Sequence, residues 1–296
     1  MDPYFDTRMM ARALQLARRG QYWAAPNPHV GCVLVRDGHV IGEGFTQPAG
    51  GNHAEIEALQ AAGDAGGATA YVTLEPCSHQ GKTGPCADAL IVAGVSRVVV
   101  AMEDPNPLVS GDGLAKLQAA GIEVECGLLE SEAREVIPGF IARMSRGRGR
   151  VRAKLAMSLD GRTAMASGES QWITGPAARE DVQRLRAMSC AIVTGVGTVV
   201  ADDCALTVRL DESRRVRNAH HSPHRQPLRV VLDSNLQTPT DAKILDGTAP
   251  TLLCHDASKN VSAEISATGV ELLALARTET GLDLVALVEH LAARHC

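Results

Sequence analysis

No run of apolar residues in this 296-residue chain approaches the ~20 that a membrane-spanning helix needs, and the N-terminus lacks the pattern of a secretory signal. An excess of basic charge is also absent. Lys and Arg number 29 against 34 Asp and Glu, a net charge of −5, whereas a nucleic-acid binder shows a basic footprint at the level of its domain. The eight cysteines fall at irregular intervals in a long chain, unlike the framework of a small disulfide-stapled domain. These absences predict a soluble, cytoplasmic protein with neither a membrane nor a nucleic acid among its partners. With 45% hydrophobic and 21% charged residues the chain can bury sizeable cores, and its length suits two domains of ordinary size.

What is present is a set of metal-binding residue types. His53-Ala54-Glu55 is followed by Pro76-Cys77 and Pro85-Cys86, which offers three soft ligands and one carboxylate that need not be a ligand. Structural zinc sites are usually closed by four protein ligands, whereas catalytic ones keep three and leave a place for water. A His, two Cys and a free Glu is the arrangement of zinc nucleobase deaminases. Zinc lowers the pKa of bound water from about 16 to about 7, and a carboxylate beside it can move the protons that ammonia release requires. Each part alone has a plainer reading. His-x-Glu occurs in many helices, and cysteine is often a small buried hydrophobe. Eight residues separate the cysteines, longer than the two of most zinc deaminases, and His79 inside that insertion is a rival ligand.

The spacing predicts helices over 53–62 and from Cys86, with His53 and Glu55 in the first turn of one and Pro85 at the first position of the other. Before them, Asp6 reads as the cap of a helix whose stripe is Met10, Ala13, Leu14 and Ala17, closed by Gly20. Residues 30–35 and 39–45 flank Asp37-Gly38, a hairpin signal. Strands over 69–74, 97–102 and 122–128 alternate with helices, which implies a mostly parallel sheet with helices on both faces and an antiparallel hairpin at its start. The Arg-rich stretch from Arg143 to Arg152, interleaved with Gly147 and Gly149, reads as a solvated linker. Beyond it, strands are expected at 151–157, 190–195, 228–232, 251–254 and 270–274, with helices at 176–188 and 282–294. Gly195-Val196-Gly197-Thr198 is either a tight strand exit or a turn whose amides approach a phosphate.

Asn27-Pro28-His29-Val30-Gly31, the His53 motif and the run Glu75 to Cys86 closely resemble the deaminase half of the bifunctional deaminase/reductase family of riboflavin biosynthesis. The resemblance continues through Lys154 to Arg162, Ser167 to Thr174 and Gly197 to Asp203. It implies an α/β chain with two domains: a cytidine-deaminase-like α/β/α sandwich over 1–146 and a dihydrofolate-reductase-like α/β domain over 150–296 with its C-terminal part missing. It also implies Zn2+ on His53, Cys77 and Cys86, with Glu55 catalytic. Asn27 and Lys82 would bind a phosphorylated pyrimidine. Ala156, Trp172, Thr198, Asp202 and Ser234 would line NADPH, while Ser170, Arg186, Leu206 and Arg209 would hold the ribosylamino phosphate.

Departures from the family bear on what is expected. Its reductase half continues beyond Cys296 with a Val-Glu-Ala-Gly-Pro strand that nothing after Leu282 supplies. The expectation is therefore an intact deaminase and a reductase with impaired NADPH binding, the alternative being a deaminase whose second half acts as a binding module. Thr46 and Glu57 stand where the family commonly has His, which touches substrate contacts and not the metal. A tRNA- or DNA-editing deaminase and a zinc-stabilised binding module are the other classes, and a homo-oligomer is compatible with all of them.

Overall fold

The computed structural model describes residues 4–79, 84–107, 109–210 and 225–296. They form two compact units, one running to Arg150 with His295–Cys296 counted in it, the other Val151–Arg294.

The first unit is a five-stranded sheet in the order β2-β1-β3-β4-β5. Its strands are β1 (Gly31–Arg36), β2 (His39–Phe45), β3 (Thr69–Val72), β4 (Arg97–Val100) and β5 (Glu123–Cys126). β1 is antiparallel to both β2 and β3, and the pairs β3–β4 and β4–β5 are parallel. Asp37 and Gly38 close the hairpin with φ of 52° and 77°, the left-handed pair that such a tight turn requires. Cys32, Val33 and Leu34 are all fully buried, because helices cover both faces of the sheet.

Glycines let those helices come close. A Cβ on Gly31 would lie 1.9 Å from Ala13 O of α1 (Phe5–Arg19), on one face. On the other, Cβ atoms on Gly44 and Gly42 would meet Ala54 O at 2.2 Å and Ala58 O at 2.3 Å, both in α2 (Ala54–Ala62). The stripe Met10, Ala13, Leu14 and Ala17 is buried as its spacing requires. Asp6, however, is not the cap. Tyr4 holds that place, and the Asp6 carboxylate accepts from Tyr71 Oη at 2.5 Å and Arg97 Nη2 at 2.7 Å. The Arg97 guanidinium holds that carboxyl below the usual range.

Three further helices, α3 (Cys86–Val92), α4 (Asp112–Ala119) and α5 (Glu130–Val136), follow, and α6 (Pro138–Arg146) takes in the front of the expected linker. Ile137, Phe140 and Ile141 pack on the first core, so these residues are helical where the arginines alone suggested solvated coil. Gly147, at φ 65°, ends the helix.

The second unit is a four-stranded parallel sheet in the order β6-β7-β8-β9. Before it runs α7 (Pro176–Ala187), and the sheet elements are β6 (Ala191–Gly195), α8 (Val196–Asp202), β7 (Leu228–Leu232), β8 (Thr251–Asp256), α9 (Ala263–Ala267) and β9 (Glu271–Leu275). A two-stranded ribbon, β10 (Arg277–Thr278) and β11 (Gly281–Leu282), leads to α10 (Leu284–Ala293). Asp283 caps that last helix through the amides of Val285 and Ala286. Val199, Val231, Ile244, Leu253 and Ile265 form the core. The strand expected over 151–157 is absent. That stretch has no regular structure and is largely exposed, and no strand among the described residues pairs with it, so its sequence alternation has no ladder to join.

Gly31→Ala should cost on the order of 1–3 kcal/mol or more, since the added methyl meets α1 backbone and not a movable side chain. Urea unfolding would show this as a lower midpoint. An unchanged midpoint would contradict the close approach.

Candidate functional site

Three donor atoms converge beyond the carboxyl ends of β3 and β4. His53, Cys77 and Cys86 place one ligand atom each within 4.8 Å of one another. Cys77 Sγ is 3.7 Å and Cys86 Sγ 3.4 Å from His53 Nδ1. His53 is the N-cap of α2, one residue ahead of the expected first turn, and its ring makes no capping bond. The imidazole is therefore free to face the sulfurs. Glu55 does lie in the first turn and is buried, at 3% exposure.

Pro85 is likewise one position earlier than expected, at the N-cap of α3, with Cys86 first in the helix. The amide of Cys86 donates to Cys77 Sγ at 3.3 Å and that of Ala87 to Cys77 O at 3.1 Å. The amide at this helix start thus serves Cys77. The electrostatics follow. Contacts with Cys86 and with His53 hold the Cys77 thiol well below its ordinary range, whereas proximity to Cys77 and burial push Cys86 up. The bond to Cys77 raises His53. Burial, aided by the Cys77 charge, pushes Glu55 up to about 7.

This donor set fits zinc. Tetrahedral zinc with Zn–S of about 2.3 Å and Zn–N of about 2.0 Å sets its sulfur and nitrogen ligands about 3.5 Å apart, close to the observed 3.4 and 3.7 Å. A divalent cation also resolves the charge conflict between the two thiols. His79, the rival ligand, is exposed and outside the cluster.

Around the donors, Asn27 is half-buried in the turn before β1, its N–H bonded to Ala24 O at 2.9 Å. Burial pushes nearby His29 down to about 4 and keeps it neutral. Thr46 is buried, and its hydroxyl accepts the Val30 N–H at 2.9 Å. Its role is thus to fasten β1 to β2. Glu57 accepts from Asn52 Nδ2 at 2.9 Å and steadies the loop that leads to His53. Lys82 lies outside the described residues. Sequence reasoning passed over Asp104, buried at 7% exposure, whose carboxyl burial raises to about 6 and which feels His79 and Cys77. An acid a few residues past the carboxyl end of β4 was the available signal.

In the second unit the expected residues form two groups and a remainder. Thr198, in the first turn of α8, and Ser234 follow the carboxyl ends of the paired strands β6 and β7, where open parallel sheets bind ligands. Gly195 caps α8, so the glycine pair opens a helix and not a free loop. Arg186 donates to Thr207 O at 3.2 Å, and burial with the nearby Arg209 charge lowers its pKa. Leu206 adjoins that carbonyl with φ of 50°. These three therefore lie together. Asp202 is exposed at the end of α8. Ala156, Ser170 and Trp172 occupy the irregular stretch before α7, with Arg179 stacked 4.5 Å from the Trp172 ring centroid.

Comparison with known proteins agrees with this division. Residues 3–102 match the family "cytidine and deoxycytidylate deaminase zinc-binding region", and residues 150–296 match "RibD C-terminal domain". The riboflavin biosynthesis protein RibD of Aquifex aeolicus is 42% identical over 272 residues, 91% of this chain and 74% of that protein. The chain belongs to the RibD family. RibD of Escherichia coli K12 is 59% identical over 238 residues, 79% of this chain. The chain spans less than two thirds of the length of the E. coli and Haemophilus influenzae RibD proteins, 65% and 62%. A structure of Acinetobacter baumannii RibD superposes with a TM-score of 0.87 at 48% identity, covering 98% of this chain and 78% of that one. The fold is accordingly cytidine-deaminase-like in the first unit and, in the second, that of the RibD C-terminal domain, which is like dihydrofolate reductase.

Cys86→Ser should abolish stoichiometric zinc uptake, measured by elemental analysis of the purified protein. Full occupancy would transfer the third ligand position to His79.

Proposed function

We propose that the chain is a bifunctional enzyme of riboflavin synthesis. Its first unit would deaminate 2,5-diamino-6-ribosylamino-4(3H)-pyrimidinone 5′-phosphate by zinc-dependent hydrolysis, and its second would reduce the ribosyl group to ribityl with NADPH. The observation that carries this is the three-donor cluster with a buried carboxylate beside it. Three ligands suit catalysis better than scaffolding, which weighs against a zinc-stabilised binding module. The family match across 150–296 favours a reductase over a bare binding module.

Zinc, when bound, would supply an activated water near neutral pH, and NADPH a hydride. The protein's own part in the first reaction is proton handling and placement. Glu55 sits within the first turn of α2, two residues from His53, with a pKa raised to about 7, so it can both take and return a proton near neutrality. It would accept one proton of the attacking water and deliver it to the ring nitrogen, then take the second proton of that water and pass it to the amine, which leaves as ammonia. Asn27 would orient the pyrimidine, and Lys82 the phosphate. In the second reaction Arg186 and Arg209 offer guanidinium forks to the phosphate, with Leu206 and Ser170 completing that subsite. Ala156, Trp172, Thr198, Asp202 and Ser234 would position the nucleotide.

The partners are thus small molecules. A net charge of −5 argues against nucleic acid, and no helix among the described residues is long and apolar enough to cross a membrane.

Glu55→Gln should retain zinc while ammonia release falls by about 10²–10⁴-fold; normal turnover would remove Glu55 from proton transfer. Arg186→Gln should raise KM for the ribosylamino phosphate in an NADPH-oxidation assay more than it lowers kcat. An unchanged KM would remove it from the phosphate subsite.

A further inference from the structure

The backbone that delivers Cys77 is tied down by the residue two positions before it. Glu75 is buried, at 3% exposure, and its N–H donates to Met102 O at 3.0 Å. Its carboxylate collects four backbone N–H groups, two from residues between β4 and α4 and two from the first turn of α4. Oε2 accepts from Asp104 at 3.1 Å and Gly111 at 3.0 Å, and Oε1 from Gly113 at 2.8 Å and Leu114 at 3.4 Å. A second contact presses the same segment into place. A Cβ on Gly113 would lie 2.1 Å from Pro76 O and 3.1 Å from Glu75 Oε1, so only a glycine lets the turn sit against Pro76.

Between this anchor and the ligand stands one proline, whose φ is locked. Few torsions remain to absorb a displacement, so movement of Glu75 would pass to Cys77 Sγ. Metal ligands tolerate only about 0.2 Å of misplacement. We propose that Glu75 is a positioning residue for the metal centre: by holding the amides of Asp104, Gly111, Gly113 and Leu114, with Gly113 against Pro76, it sets where Cys77 stands relative to His53 and Cys86. This inference rests on the reading of the cluster as a zinc site.

The test compares zinc affinity, by competition with a chromophoric chelator, and the visible spectrum of Co2+-substituted protein, in wild type, Glu75→Gln, Glu75→Asp and Tyr71→Phe. The amide of Glu75→Gln turns donors toward two of the four N–H groups. Zinc binding should weaken by about 10–100-fold, the usual cost of losing an outer-shell partner, and the cobalt bands should shift. Glu75→Asp, which keeps the charge one methylene short, should fall between. Tyr71→Phe removes only the hydroxyl that donates to Asp6; it should lower stability and leave both metal readouts alone.

Wild-type affinity and bands in Glu75→Gln would overturn the proposal. So would a zinc loss in Tyr71→Phe matching that of Glu75→Gln, since the effect would then track stability. If Glu75→Gln fails to fold, Glu75→Asp decides on the same two readouts. Wild-type protein that takes up neither metal would overturn the zinc reading itself, a result distinct from normal binding in wild type beside an unaffected Glu75→Gln.

Discussion

Two thiols and an imidazole are held within 4.8 Å, too close for both sulfurs to be thiolates without a cation between them, and the first half of the chain is organised around placing them. Like charges this close and partly buried repel strongly. Cys77, with the Cys86 amide and His53 beside it, is the thiol held low, while contact with Cys77 raises Cys86 and burial above all raises Glu55. A divalent cation on the three donors reverses the balance, because both thiolates then face positive charge. Holding the donors in place for such a cation is what the surrounding hydrogen bonds do.

Much of this was legible in the residues. Pro-Cys at a helix start, His two residues before Glu, and Asp-Gly between apolar runs each carry a local physical signal, and β2 and β7 were readable to the residue. Boundaries at the site shifted by one position, at His53 and Pro85, because capping is decided by backbone angles that composition does not state. Asp6 was misread for a different reason. It has the right type and place for a cap, but Arg97, far along the chain, offers a stronger partner. Thr46 and Glu57 could not be assigned from sequence because their partners, Val30 and Asn52, are set by strand register and loop course. The stretch over 151–157 shows the limit most plainly: alternation marks a residue pattern fit for a sheet, and a strand exists only where another offers its backbone.

The two units solve the problem of fixing a functional loop with the same device in opposite charge. In the first, buried Glu75 gathers N–H groups from the turn beside Cys77. In the second, Arg229 of β7 is fully buried and donates to Ala205 O, Lys243 O and Ala249 O and to Asp246 Oδ1. Ala205 precedes Leu206, whose φ of 50° is a conformation that a leucine keeps only when its surroundings impose it. Burying an ion is costly unless its hydrogen bonds are made, and each bond to a charged group contributes about 1.5–3 kcal/mol. Each anchor holds its loop through several bonds at once, so it specifies one loop geometry where an apolar contact would tolerate several. A loop that must hold a sulfur, or the arginine we propose for the phosphate, to within a fraction of an ångström gains more from that selectivity than from added stability.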